Sequence, residues 1–462
     1  MNSFKPPSQR QTRRVRDRKQ PNVLWLFGDQ HRHHALGCMG DPNLHTPNFD
    51  QLALTGFTLA RGAVSGYPLC CPFRGSLLTG VYPHRCIPVH EAPLPDGMPT
   101  IAQPFNEAGY DTAWFGKWHV DGCTEAKGQA AYWVVPPERR GGFKEWVGYE
   151  NNNNQFDTWV HGGRNGECEP RKLDGFETDA LTDLLIDYLE RRAEDPDAQP
   201  FFAALSVQPP HWPLQCPPEY HKLRPDEVQL RPNVPPGGSA EAGARLGTPG
   251  YAGLIENWDM NVGRIIAALR RLDLAESTHI VFFADHGEML GSHGHFGKVL
   301  PYDESIRVPF ILGGADFFYH GLASCEGPTR GGPLPAGTDA PINHVDIAPT
   351  TLGLCGIPVP DWMEGHDYSY LRRGETPPAE SPDCALIQAI EPREESPAYR
   401  AIVTRNGWKY AETAEGPWLM FNLNDDPNEM ANLAHHPGHA ARRAELQLQL
   451  REKMKEVGDP GM

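Results

Sequence analysis

Short apolar runs, each closed by a polar residue, punctuate much of this chain. Val23, Leu24, Trp25, Leu26 and Phe27 run into Gly28 and Asp29, and Thr112, Ala113, Trp114 and Phe115 run into Gly116, Lys117 and His119. Phe201 to Val207 leads through Pro209 and Pro210 to His211, and Ile280 to Ala284 leads into Asp285 and His286. Continuous apolar runs of this length, bounded by Gly or Pro, are how strands buried on both faces of a parallel sheet read. Between them Leu181, Leu184, Leu185 and Leu189 recur at helical spacing, as do Leu254, Trp258, Ile265 and Leu269. The alternation predicts a doubly wound α/β sheet. Ligands bind such sheets beyond the carboxyl ends of the strands, so the closing residues of all these runs are expected along one edge.

At 462 residues the chain exceeds what one core usually holds, which predicts a large domain with a smaller companion. The formal charge of -17 argues against a nucleic-acid partner or an anionic membrane, both of which attract clustered Lys and Arg. Residues 1–20 are basic and read as a flexible tail. The apolar run after Pro21 is too short for a signal segment, and no stretch reaches membrane-spanning length. A cytoplasmic protein is the expectation, with twin-arginine export through Arg13 and Arg14 as the weaker alternative. The ten cysteines lack CxxC pairs or regular spacing, which fits reduced thiols better than a disulfide framework.

Two clusters carry chemistry. Asp29, Asp285 and His286 offer two carboxylates and an imidazole, a donor set suited to a hard divalent ion such as calcium, magnesium or manganese rather than zinc. Cys70, Cys71, Pro72, Phe73 and Arg74 lead into Gly75, Ser76, Leu77, Leu78, Thr79 and Gly80. Only Cys70 has proline at plus two and arginine at plus four, the pattern of a thiol that is oxidised enzymatically to formylglycine. Pro72 restricts the backbone before it, so the segment from Gly75 to Gly80 is expected to open a helix whose amino end faces an anion.

These residues resemble the type I, formylglycine-dependent sulfatases of the alkaline phosphatase superfamily. The resemblance extends over nearly the whole chain. Thr46 to Asp50 match a TPNxD segment, Gly109 to His119 a GYxTAxxGKWH segment, and Pro210 to Pro213 PHxP. Asp285 to Gly294 match DHGExLGxHG. Trp408 to Tyr410 and Phe421 to Leu433 look like the small carboxyl-terminal part of that family.

The resemblance implies a mixed, mostly parallel sheet flanked by helices, with a small α+β subdomain at the carboxyl end. On this reading residues 21–370 form the catalytic domain, and Gly374, Pro377, Pro378 and Pro382 mark a linker. Residues 385–462 form an antiparallel sheet closed by a helix around Ala440 to Val457. The polar run Asn151 to Asn154 with Gln155 lies in an insertion without a predicted element. Specificity is expected in loops such as 121–175 and 214–250.

The implied activity is hydrolysis of an organic sulfate ester, with a sulfated carbohydrate among the candidates. The implied metal ligands are Asp29, residue 70, Asp285 and His286, with calcium preferred. A hydrated aldehyde made from Cys70 is the implied nucleophile, and a formylglycine-generating enzyme is the implied maturation partner. Arg74, Lys117 and Lys298 would offset negative charge, His211 or Lys298 would protonate the departing alcohol, and His119 would act as base. The departures are Gln30, which stands where many relatives carry a second aspartate, and Phe73 in place of serine. Two other classes stay open: a phosphonate or phosphate ester hydrolase on the same scaffold, and a noncatalytic binding protein. Cys71 reads as packing, and His31, His33 and His34 as structural or near the pocket mouth.

Overall fold

A computed structural model describes residues 20–59, 61–124, 130–164, 166–314, 340–373, 375, 378 and 381–462. The basic tail before residue 20, Cys325, and Gly374 and Pro377 of the expected linker lie outside the described residues. The strands are β1 (Asn22–Asp29), β2 (Phe57–Thr58), β3 (Ala63–Val64), β4 (Asp111–Lys117), β5 (Glu145–Tyr149), β6 (Trp159–Gly163), β7 (Arg171–Lys172), β8 (Phe201–Pro210) and β9 (Thr278–Ala284). They continue as β10 (Arg307–Val308), β11 (Phe310–Gly314), β12 (Cys384–Ala389), β13 (Tyr399–Thr404), β14 (Trp408–Thr413) and β15 (Gly416–Asn422).

A nine-stranded sheet runs in the order β2-β11-β9-β1-β8-β4-β5-β6-β7. Its centre, β9-β1-β8-β4-β5, is parallel, and its margins are antiparallel. The mixed, mostly parallel architecture is therefore the one the chain adopts. In β1, Leu24 stands opposite Ala203 on one side and Ile280 on the other. Alternate side chains of β1 feed opposite faces. Val23, Trp25 and Phe27 enter one core with Phe73 and Leu77, while Leu24 and Leu26 enter a second with Leu181 and Trp258. Burial on both faces explains why these strands read as unbroken apolar runs.

The helices that matter most for the site and its cover are α1 (Pro47–Thr55), α2 (Cys70–Thr79), α3 (Glu177–Glu194), α4 (Ser239–Arg271), α5 (Ile347–Leu354) and α6 (Ala440–Glu456). Helix α2 corrects one expectation. It opens at Cys70 and carries Pro72 in its first turn, rather than starting after the proline. First-turn amides lack an intrahelical acceptor, so proline gives up little there. Gly80 ends α2 in the left-handed conformation (φ 70°), and its amide bonds Ser76 O. Among the described residues no helix is long and apolar enough to cross a membrane.

At the carboxyl end, β12 to β15 form a four-stranded antiparallel sheet in sequential order, followed by α6. Lys409 of β14 is buried and pairs with Asp303 Oδ1 and Glu429 Oε1, each at 2.5 Å, tying this sheet to the segment just before β10. Burial works to raise the Asp303 carboxyl, but Lys409 and Arg307 together outweigh it and hold it down at about 2. Removing one partner from such a buried network leaves charge without compensation. Lys409→Met is expected to destabilise the protein by about 3–5 kcal/mol. Denaturant melts measure this, while KM of the remaining folded enzyme stays at the wild-type value.

Candidate active site

Most residues of the site are delivered by the end of a strand or the start of a helix, and Lys298 by the loop after Gly294. Asp29 closes β1, where the pairing with β8 slips between Gly28 and Asp29, so that Asp29 meets Pro210. Lys117 closes β4, His211 follows β8, and Asp285 and His286 follow β9. Cys70 and Arg74 lie in the first half of α2, whose amino end brings the positive end of its dipole to the site. Gly287 admits a close approach: a Cβ there would stand 1.9 Å from Glu304 O. No larger residue fits beside His286.

Asp29, Cys70, Asp285 and His286 are buried, and each places a ligand atom within 4.8 Å of the others. Cys70 Sγ lies 3.2 Å from His286 Nε2, 3.6 Å from Asp29 Oδ1 and 3.5 Å from Lys298 Nζ. The two carboxylates share a division of labour. Asp29 Oδ2 accepts from Lys117 Nζ (2.6 Å) and Arg74 Nη2 (3.4 Å), while Oδ1 turns toward Cys70 and His286. Asp285 Oδ2 faces Arg74 Nη2 (3.4 Å), and its Oδ1 accepts the amides of Gln30 (3.0 Å) and His286 (2.8 Å). His286 Nδ1 bonds Gly287 O (3.1 Å), which leaves Nε2 directed at the centre. This set of two carboxylates and an imidazole around one point fits a hard divalent ion. A thiol at the fourth position fits it poorly, whereas an oxygen-bearing side chain at the same position fits it well.

The electrostatics follow from burial and pairing. Burial and the neighbouring charge of Asp29 push Asp285 up to about 7. Burial also acts to raise Asp29, but Lys117 leads a group of cations that holds it well below the usual carboxylate range. Burial, then Asp29, push the Cys70 thiol up to about 12. Burial and Lys298 hold His211 and His286 well below the ordinary imidazole value, and burial with Lys117 does the same for His119. The three rings are therefore held in the neutral form near pH 7.

His211 Nε2 lies 3.0 Å from Lys298 Nζ, and its Nδ1 bonds Trp212 O at 2.7 Å. Lys298 also donates to Gln30 Oε1 at 2.9 Å. Arg74 Nη1 donates to Lys117 O (3.0 Å) and Ser206 Oγ (2.8 Å). His119 stands beside this group with its ring against His90, centroids 5.5 Å apart, and within 4.8 Å of the Cys71 thiol. Cys71 itself packs in the core beneath α2.

Three participants escape a reading of the sequence. Ser206 is hidden inside an apolar strand. Gln30 adopts φ 68°, a left-handed conformation costly for a residue with a side chain; its side-chain amide accepts from Lys298 and donates to Glu288, while its backbone amide donates to Asp285. Glu288 accepts the amides of Leu290 (2.8 Å) and Gly297 (2.7 Å) and the Trp212 indole (3.2 Å), which pins the loop carrying Lys298. Its place in the DHGE stretch was the available signal. Of the histidines read as structural or near the pocket mouth, His31 is structural, bonding Ala35 O and packing against Phe49 and Phe282, and His34 lines a separate cavity with Arg32 and Arg231.

Fold and site together are those expected of a hydrolase of the alkaline phosphatase superfamily, with a buried cluster of side chains that could hold a metal ion. Residues 21–357 match the family model for sulfatase, and residues 333–457 match that for the carboxyl-terminal region of N-sulphoglucosamine sulphohydrolase. The chain belongs to the sulfatase family and is a sulfuric ester hydrolase. It is 35% identical over 459 residues to an ulvan-active sulfatase of Formosa agariphila, covering 95% of this chain and 82% of that protein. An endo-4-O-sulfatase of Bacteroides thetaiotaomicron is 28% identical over 95% of this chain and 93% of its own length. The fold matches a putative sulfatase from Bacteroides fragilis with a TM-score of 0.81 at 24% identity, over 99% of this chain and 98% of that one.

Proposed function

We propose that this sulfatase removes sulfate from a sulfated carbohydrate, at a formylglycine made from Cys70 beside a calcium ion held by Asp29, residue 70, Asp285 and His286. The observation that carries the reading is the convergence of those four side chains at the amino end of α2. The carbohydrate class is supported by similarity to proteins described as an ulvan-active sulfatase and an endo-4-O-sulfatase. The ion and the hydrated aldehyde would together supply an oxygen nucleophile near neutral pH.

The remaining work falls to the chain's own residues. Arg74 and Lys117 fix Asp29 and supply the fixed positive charge that an anionic transition state requires. His119, kept neutral, is the proton acceptor for an oxygen on residue 70. Lys298 holds the proton for the departing alcohol, its Nζ 3.5 Å from Cys70 Sγ, and neutral His211, one hydrogen bond further out, relays it. Cys70, Pro72 and Arg74 are all buried in the folded chain. The maturation enzyme must therefore read them before α2 packs.

A panel of sulfated sugars, an aryl sulfate, choline sulfate and an aryl phosphonate, offered to matured enzyme, tests this reading. Turnover of sulfated sugars is expected to dominate. Preference for the phosphonate would favour the second reading, for which similarity to a multifunctional alkaline phosphatase superfamily protein of Trinickia caryophylli, at 26% identity, speaks. The relay role of His211 makes its own prediction. An alcohol leaving from a sugar needs a proton and a nitrophenolate does not, so His211→Gln is expected to slow sugar sulfates by about 10²–10⁴-fold and 4-nitrophenyl sulfate far less. Steady-state rates on both substrates measure the difference.

A further inference from the structure

We infer that the indole of Trp212 is a stacking platform for the sugar ring that carries the scissile sulfate. The inference deepens the carbohydrate reading above and rests on it. Trp25, Trp114, Trp118, Trp146 and Trp258 are fully buried, whereas Trp133 (42%) and Trp212 (41%) are exposed, and of these two it is Trp212 that adjoins His211. Leaving so much of a large apolar ring in water is unfavourable. The ring is also held in place.

Its backbone carbonyl accepts from His211 Nδ1 at 2.7 Å, and its indole Nε1 donates to Glu288 Oε2 at 3.2 Å. Glu288 in turn holds Gln30, whose Oε1 accepts from Lys298. A short chain of hydrogen bonds thus couples the indole to the Lys298–His211 pair. One ring edge is backed by α4 at Gly247, where a Cβ would stand 4.0 Å from Trp212 Cη2 and 3.2–3.3 Å from Leu290 and Leu214 side-chain atoms. The glycine keeps the helix surface flat beneath these apolar groups.

An aromatic ring with its polar edge anchored and part of its surface open to solvent matches the apolar C–H face of a pyranose. The departing alcohol must reach Lys298 or His211 to receive its proton, which brings the ring attached to that oxygen beside residue 212. Binding energy on this side would come from an apolar face, and the charged residues remain for the sulfuryl group.

The test uses the matured, full-length enzyme and a sulfated sugar that the wild type turns over. Trp212→Ala is expected to raise KM for that sugar about tenfold, equivalent to about 1.4 kcal/mol, with kcat changing much less. Inhibition by inorganic sulfate, which has no ring, should keep its wild-type inhibition constant. Trp212→Phe, which restores a flat apolar surface without the indole N–H, should recover most of the lost affinity. An unchanged KM in Trp212→Ala would overturn the inference. So would equal weakening of sugar and inorganic sulfate, since that marks a general disturbance of the site. A wild type that turns over other sulfates but no sulfated sugar would overturn the carbohydrate reading itself, before any variant is made, and this inference with it.

Discussion

Cys70→Ala protein is expected to turn over sulfate esters on the order of 10⁴-fold more slowly than matured wild type, or worse, because the variant cannot carry the proposed nucleophile. The fold should survive. The thiol is one small buried group at the start of α2, and its loss leaves the pairings of Arg74 and Lys117 with the acids intact. Cys70→Ser separates two explanations for any loss. A serine hydroxyl at this position can attack but offers no second oxygen on the same carbon, so its sulfate ester has no internal route of release. The expected result is a stoichiometric burst of the alcohol followed by arrest. Steady turnover by the serine variant would show that the exit does not depend on an aldehyde. Rapid-mix product measurements with each variant distinguish these outcomes.

Asp29→Asn should be nearly as damaging, by a different route. Asp29 accepts from Lys117 and Arg74 while its other oxygen faces Cys70 and His286. In the wild type two buried acids, Asp29 and Asp285, stand against two buried cations, Lys117 and Arg74. The balance explains how the site tolerates so much charge away from water. Neutralising Asp29 leaves two cations against one acid, expected to destabilise by about 3–5 kcal/mol. It also removes one of the proposed ligands, so the variant should lose its bound divalent ion and at least about a thousandfold in activity. Chelating the ion from wild type is expected to abolish activity while leaving the fold standing, because the acids and cations still balance. Metal analysis and thermal melts of both proteins test the contrast. A variant that keeps both the ion and its melting temperature would contradict the assignment.

Much of this was legible in the amino-acid sequence because central parallel strands are apolar throughout. A polar residue at the end of such a run therefore marks the sheet edge, and Asp29, Lys117, His211 and Asp285 were each found that way. The start of α2 was misjudged because proline was taken as a break, although a first turn accepts it. Ser206 gave no signal, since its role depends on a guanidinium from a helix far away in the chain. Gln30 and Glu288 were visible as motif members, but the bond of Gln30 to Lys298 and that between Gln30 and Glu288 depend on how two loops meet. Periodicity does not encode that. The histidines after Asp29 were left open between a structural place and the pocket mouth for a related reason: nearness along the chain to a strand end does not fix which way a loop turns. His31 turns into the core against Phe49 and Phe282.

The most direct measurement is peptide mass spectrometry of the segment containing residue 70, from protein produced with and without a formylglycine-generating enzyme, set beside the specific activity of each preparation. The account predicts an aldehyde at position 70 in a fraction that rises in proportion to activity. Full activity from protein whose Cys70 remains entirely a thiol would contradict it.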